Sequence, residues 1–260
     1  MAPDDPPHQL ADGEIHLWVL PTDAARVERL CTEALGLLSP DERTRLGTLT
    51  RPSVARRYLL ARGLLRRGLA WHLGANPADL EFRYSATGKP LLERPDARDL
   101  AFSLSHASSD VLLAVARARC VGIDLEPDGR AAIALRIARR FFSAAEQRHL
   151  QSLGETAAPY ALMLWTLKES LTKAMGRTVW DSLAGLSLAI EGDRIRWLAS
   201  PPGEAVPWML TVGRFRDAHT LALALVLPDS AAAGSLRYRY HILGEGETAS
   251  VAFQPLSALV

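Results

Sequence analysis

The chain of 260 residues carries 30 lysines and arginines against 29 aspartates and glutamates, so its net charge of +1 does not favour nucleic acid or a membrane as partner. Hydrophobic residues make up 48% and charged residues 23%, which is ordinary for a folded protein of one large or two small domains. Two cysteines, Cys31 and Cys120, exclude a disulfide framework and a four-cysteine zinc site, and they favour a cytoplasmic location. No apolar run reaches the roughly 18–20 residues that a membrane span needs.

The first half of the chain is predicted to contain helices and a small sheet. A polar, proline-rich flexible leader is expected at residues 1–13, and the alternating residues 14–20 predict a strand. Ser39-Pro40-Asp41-Glu42 has the capping-box pattern, and leucines at helical spacing predict a long helix over residues 53–73. Short strands are predicted at residues 100–104, 111–116 and 121–125.

The second half is predicted to have a similar content. Helices are expected at residues 131–141, 143–153 and 157–175, and strands at residues 186–190, 194–197, 209–212 and 221–227. We place a boundary near Val121, which gives an N-terminal α/β half (14–120) and a C-terminal α/β half (121–260) with the last strands and the tail. The predicted fold class is therefore α/β, in the broader sense α+β.

Residues 43–71 contain eight arginines and no acidic residue. Any one of these arginines can be an ordinary solvated residue on a helix face. As a group they are a candidate anion-binding segment, because the fork of a guanidinium group matches the geometry of phosphate oxygens.

Three carboxylates form the most informative pattern. Asp124 and Glu126 are two residues apart on a predicted strand and so share one face. Trp165, Glu169 and Lys173 fall at i, i+4 and i+8 of a predicted helix and so share one stripe. Taken singly, these acids could be a strand end in solvent and half of an exposed ion pair. Taken together, they suit a hard cation such as Mg²⁺, with a lysine beside it for phosphate.

Two shorter elements could also donate to an anion. Ser105-His106 follows the predicted strand 100–104, and Gly88-Lys89-Pro90 is a tight turn that presents one lysine. His106 could instead have only a structural role, and Gly88-Lys89-Pro90 could be an ordinary surface turn. The sequence has no P-loop, no G-x-G-x-x-G and no G-x-S-x-G motif, and its other histidines lack zinc-ligand spacing. The commonest nucleotide-binding and acyl-hydrolase classes are thereby excluded.

In combination, these elements resemble the 4′-phosphopantetheinyl transferases of the larger, surfactin-synthetase-activating (Sfp-like) type. The resemblance covers about residues 39–181 and depends chiefly on G-I-D-x-E at residues 122–126 and on W-x-x-K-E-x-x-x-K at residues 165–173. The softer matches are Ser39-Pro40, Arg57 before a leucine-rich helix, Gly88-Lys89-Pro90, Ser105-His106 and residues 139–143.

The resemblance implies a pseudo-dimer of two similar α/β halves with the active site in the cleft between them. It implies transfer of the 4′-phosphopantetheine arm of coenzyme A to a serine of an acyl or peptidyl carrier protein. The metal, Mg²⁺ or alternatively Mn²⁺, would be held by Asp124, Glu126 and Glu169. The implied catalytic residues are Glu169, Lys173 and His106. The implied coenzyme A ligands are Arg45, Arg57, Arg62, Lys89, Ser105, His106 and Lys173.

The implied enzyme is monomeric and meets its carrier protein transiently. We expect the carrier to dock on residues 129–140, where arginines lie among apolar residues. Family members often carry a basic residue where this chain has Glu42, so the grip on the 3′-phosphate falls to Arg45, Arg57 or Arg62. Two other functions stay open: a different Mg²⁺-dependent phosphotransferase or nucleotidyltransferase, and a catalytically silent coenzyme A-binding module.

Overall fold

The computed structural model describes residues 10–20, 24–97, 99–107, 110–181, 183, 185–199, 206–216, 218–228, 236–243 and 253–259. Its fold is mixed α/β, as the sequence predicts. Within these described residues, no helix is both long and apolar enough to cross a membrane. The described residues fall into two compact units: 10–117 with 236–243, and 118–228 with 253–259. The pseudo-dimer and the cleft site stay predictions.

The described elements begin with β1 (Glu14–Val19), α1 (Ala24–Leu37), α2 (Pro40–Gly47), α3 (Pro52–Leu73), β2 (Phe82–Tyr84), β3 (Pro90–Leu92), β4 (Leu100–Ala107) and β5 (Asp110–Arg117). They continue with β6 (Cys120–Pro127), α4 (Ala131–Phe141), α5 (Ala144–Ser152), α6 (Ala157–Ala174), β7 (Ser187–Glu191) and β8 (Arg194–Ala199). The last are β9 (Met209–Phe215), β10 (His219–Val226), β11 (Arg237–Ile242) and β12 (Phe253–Leu259).

Local signals determine where the helices of the first unit begin and end. Ser39 and Glu42 form both hydrogen bonds of the predicted capping box at the start of α2. Helix α3 has Pro52 in its first turn and ends at Gly74, whose φ of 57° is left-handed and favours glycine. The long helix predicted over residues 53–73 is therefore confirmed.

In the first unit, α3 packs against a four-stranded sheet with the order β11-β1-β5-β4, and α1 packs against α3. Its core includes Leu10, which is buried, so packed structure begins inside the predicted leader; residues 1–9 lie outside the described part of the chain. Strand β11 pairs in parallel with β1, with Trp18 opposite His241. Residues 237–242 thus belong to the first unit, although the sequence analysis grouped them with the second half. Such a pairing joins residues more than 200 positions apart, and no local pattern shows it.

The second unit has its own four-stranded sheet, with the order β12-β9-β10-β6, and a β7–β8 hairpin. Helix α6 packs against β6 and β10. The helix comes very close to β6 at Gly122: a methyl group there would overlap the backbone carbonyl of Ser170 and lie 2.6 Å from the backbone nitrogen of Ala174. The absence of a side chain at Gly122 therefore allows α6 to reach the two acids that follow on β6.

Candidate active site

The two strand acids of the predicted metal site are buried side by side on β6. Asp124 is 5% exposed and Glu126 is 6% exposed. Because they are two residues apart on a strand, both side chains emerge on one face of the sheet. Burial of two carboxylates so close together is electrostatically unfavourable unless positive charge or hydrogen-bond donors accompany them.

Helix α6 supplies those partners along the predicted stripe. The indole Nε1 of Trp165 donates to Glu126 Oε1 at 2.9 Å. The ammonium Nζ of Lys173 donates to Asp124 Oδ1 at 2.7 Å and to the carbonyl oxygen of Ile123 at 3.0 Å. The structure therefore brings the strand acids and the helix stripe together.

The third acid, Glu169, shares this electrostatic environment. Burial and then the negative charge of Asp124 raise the pKa of Glu169 to about 7, against a smaller opposite effect of Lys173. Burial and Asp124 also raise the pKa of Glu126, although the hydrogen bonds from Trp165 and Arg130 oppose this. The three carboxylates thus repel one another in a partly desolvated region, which is the situation that a divalent cation relieves.

A cation that the sequence analysis did not assign to the site also contacts it. Arg130 Nη1 donates to both carboxylate oxygens of Glu126, at 3.1 and 2.9 Å. The i,i+4 spacing of Glu126 and Arg130 is the sequence signal that could have revealed this pair.

The three acids have the donor chemistry of a site for a hard divalent cation. All their donors are carboxylate oxygens, the ligands that Mg²⁺ and Mn²⁺ take. As they stand, Glu126 is turned toward Arg130 and Asp124 toward Lys173. Accordingly, no group of three or more His, Cys, Asp or Glu side chains in the described part of the chain is arranged to hold a metal ion. The donor chemistry fits, and a change of side-chain conformation would have to accompany binding.

Lys168, the other lysine of the motif, points elsewhere and is fully buried. Its Nζ donates to Glu146 Oε2 and to the carbonyl oxygen of Leu183, both at 2.9 Å, and also to the carbonyl oxygen of Leu186. Glu146 in turn accepts from the backbone nitrogen of Leu188 at 3.0 Å. The hydrogen bonds of Lys168 therefore connect α6 to the start of α5 and to the segment that leads into β7.

The remaining predicted site residues belong to the first unit. Ser105 is buried and His106 is exposed, both on β4, while Lys89 follows the turn at Gly88 and is half-buried. On the helices, Arg45 is exposed on α2 and Arg57 is half-buried on α3.

Arg62, also in the first unit, packs between two tyrosine rings and lies close to a buried acid. Its guanidinium carbon lies 5.1 Å from the ring centre of Tyr58 and 5.2 Å from that of Tyr84. Its nearest acid is Glu42, at 3.9 Å from Nε. Arg66 donates to the same carboxylate at 2.9 and 2.8 Å, and Glu42 is only 2% exposed. The acid at position 42 is thus a buried structural anion, which explains why this chain has no basic residue there.

The chain is similar in sequence to proteins of known activity. The model of the 4′-phosphopantetheinyl transferase superfamily matches residues 120–224, a stretch that contains β6, α6 and most of β10. The 4′-phosphopantetheinyl transferase HetI of Nostoc is 36% identical over 176 residues, which are 67% of this chain and 73% of HetI. The chain belongs to the 4′-phosphopantetheinyl transferase family. The resemblance seen in the sequence is confirmed.

Two Bacillus members of the family align over longer stretches. The transferase psf-1 of Bacillus pumilus is 31% identical over 178 residues, covering 68% of this chain and 74% of psf-1. A 4′-phosphopantetheinyl transferase of Bacillus subtilis is 27% identical over 210 residues, covering 80% of this chain and 89% of that protein. These alignments extend well beyond the residues that the superfamily model matches.

Proposed function

We propose that this protein transfers the 4′-phosphopantetheine arm of coenzyme A to a serine of an acyl or peptidyl carrier protein. The observation that carries the proposal is the meeting of Asp124 and Glu126 with Lys173 and Trp165, within a chain of this family. In the reaction, a bond forms between the serine oxygen and the phosphorus of the arm. The bond from that phosphorus to the bridging oxygen breaks, and adenosine 3′,5′-bisphosphate leaves.

Asp124, Glu126 and Glu169 would hold Mg²⁺, for which Mn²⁺ could substitute. When bound, the ion supplies positive charge to the pyrophosphate of coenzyme A. Support comes from the all-carboxylate donor set and from the burial and mutual repulsion that together raise the pKa of Glu169. Lys173 adds a second positive charge, which stabilises negative charge on the phosphate oxygens in the transition state.

Glu169 is also our candidate for the general base. A carboxylate with a pKa of about 7 is well matched to accepting the serine proton near neutral pH. A carboxylate that binds a divalent cation is a weaker base, so the two roles compete at this residue. The proton leaves the serine oxygen as the new bond to phosphorus forms.

Coenzyme A would be bound through residues of the first unit. We assign its adenine and phosphate groups to Arg45, Arg57, Lys89, Ser105 and His106. Arg62 is the weaker candidate for the 3′-phosphate because its guanidinium group lies between two tyrosine rings and close to Glu42. His106 is exposed on β4 and remains our candidate donor to a phosphate oxygen.

We propose that the carrier protein docks on the exposed face of α4, here called the α4 surface. Its arginines, Arg136, Arg139 and Arg140, are exposed and suit an acidic partner. Its apolar side chains include Phe141, 39% exposed, whose ring centre lies 5.6 Å from that of Trp180, 62% exposed. Exposed aromatic rings edged by arginines are typical of protein interfaces.

The deciding experiment mixes an apo carrier protein, coenzyme A and Mg²⁺ with the enzyme and examines the carrier by mass spectrometry. We expect one added phosphopantetheine group on one serine, and its loss with Asp124→Asn. A parallel reaction supplies ATP in place of coenzyme A. Modification only with ATP would indicate another phosphotransferase or a nucleotidyltransferase, and coenzyme A binding without modification would indicate a silent binding module.

A further inference from the structure

The contact between Arg130 and Glu126 joins a half-exposed cation to a buried carboxylate. One nitrogen of Arg130 lies within hydrogen-bond distance of both oxygens of the carboxylate. Glu126 itself is 8% exposed at the side chain, whereas the side chain of Arg130 is 46% exposed. The arginine can therefore leave for solvent while the carboxylate stays in place.

The position of Arg130 in the chain also permits such a movement. It is the last residue of the short turn, Asp128–Arg130, that joins β6 to α4. Within the described residues, Glu126 is the only acid within ion-pair distance of Arg130. By contrast, Trp165 holds the same carboxylate from a buried position on α6 and cannot move as freely.

Both oxygens of Glu126 are the atoms that would ligate a metal ion. A divalent cation and the Arg130 guanidinium group therefore compete for the same carboxylate, and like charges so close together repel one another.

We propose that Arg130 is a displaceable counter-cation: it holds Glu126 before metal binding, and it must release that carboxylate when a divalent ion binds. The inference rests on the metal site of the proposed function. Arg130 thereby lowers the affinity for the ion while it holds the carboxylate in place. It is a positioning residue, since it acts on the metal through Glu126.

The test measures binding of Mn²⁺ alone, by titration calorimetry and by the electron paramagnetic resonance signal of the free ion. It compares the intact chain with Arg130→Ala and Arg130→Gln, at a pH well above 7 so that protons do not compete. Arg136→Ala, which removes the same charge from an exposed position on α4, is the matched control. We expect both Arg130 variants to bind Mn²⁺ at least about threefold more tightly, as the loss of a competing ion pair implies, and Arg136→Ala to change binding less.

Three outcomes would overturn the inference. Unchanged or weaker Mn²⁺ binding in both Arg130 variants, with the intact chain binding normally, would show that Arg130 does not compete. An equal gain in Arg136→Ala would reduce the effect to general electrostatics. If the intact chain bound no Mn²⁺ and Asp124→Asn changed nothing, the metal site of the proposed function would itself fall. Circular dichroism of each variant confirms that it is folded.

Discussion

The backbone at Gly122 touches the backbone of α6 at Ser170, with no room for a methyl group between them. This contact brings the helix that carries Glu169 and Lys173 to the strand that carries Asp124 and Glu126. The glycine of the motif G-I-D-L-E therefore has a steric role: it lets the helix approach the strand closely.

Replacing Gly122 by alanine should therefore separate α6 from β6. We expect a loss of about 1–3 kcal/mol or more in the free energy of unfolding, as for overpacked cores, measured by urea denaturation. Gly129→Ala is the control, because a methyl group at Gly129 meets nothing within 4 Å. Equal stability of the two variants would show that the close approach is not needed.

Glu169→Gln should remove both a metal ligand and the candidate base while it keeps the shape of the side chain. We expect kcat to fall by on the order of 10²–10⁴, with coenzyme A binding retained. Turnover of an apo carrier protein and calorimetric titration of coenzyme A are the two measurements. Near-normal turnover would remove Glu169 from the mechanism.

Lys168→Met should destabilise the protein rather than act on the reaction directly. The change leaves the buried carboxylate of Glu146 without its cation, and loss of one partner of a buried ion pair costs about 3–5 kcal/mol. Chemical denaturation measures this loss. In Lys168→Met with Glu146→Gln, no uncompensated charge remains, so part of the stability should return. A stable Lys168→Met variant with normal unfolding would contradict the anchoring role.

Arg57 and Arg62 should respond differently to alanine substitution. Arg57→Ala is expected to weaken coenzyme A binding about tenfold or more, the effect of losing one charge-assisted contact, with an unchanged unfolding transition. Arg62→Ala is expected to lower stability instead, because its side chain packs between Tyr58 and Tyr84 beside Glu42. Calorimetric titration and thermal unfolding of both variants distinguish the two roles, and the reverse pattern would exchange the assignments.

Acid should weaken the first unit through the pair Glu14 and Arg239, which joins β1 to β11. Burial raises the pKa of Glu14, but hydrogen bonds from Arg239 and the Ala11 backbone outweigh it and lower the pKa from 4.5 to about 2. A lowered folded-state pKa stabilises above pH 4.5, and this contribution is lost as pH falls toward 2. Thermal unfolding across this range should show a smaller acid dependence for Glu14→Gln. An identical dependence in both proteins would speak against the pair.

The sequence was most informative where a pattern is local. The capping box at Ser39 and the long helix α3 were predicted because interactions within a few residues determine where these helices begin. The stripe from Trp165 to Lys173 was predicted because helical periodicity determines which side chains share a face.

Other features could not be predicted because they join distant parts of the chain. Lys168 lies in the same motif as Glu169, and only the structure shows that it pairs with Glu146. Likewise, no pattern in the sequence indicates that Glu42 is buried and paired with Arg66. A one-dimensional pattern shows the face on which a residue lies, whereas its partner depends on how separate elements pack.

The last two described strands belong to different sheets. Strand β11 is an outer strand of the sheet in the first unit, and β12 is an outer strand of the sheet in the second. Neither unit is therefore a continuous piece of polypeptide, and a single cut after Arg117 would not yield two complete domains. A chain terminated before Leu236 would lose one border strand from each sheet at once, leaving β1 and β9 with unpaired backbone groups. Completion of either four-stranded sheet accordingly requires a strand that lies after residue 235.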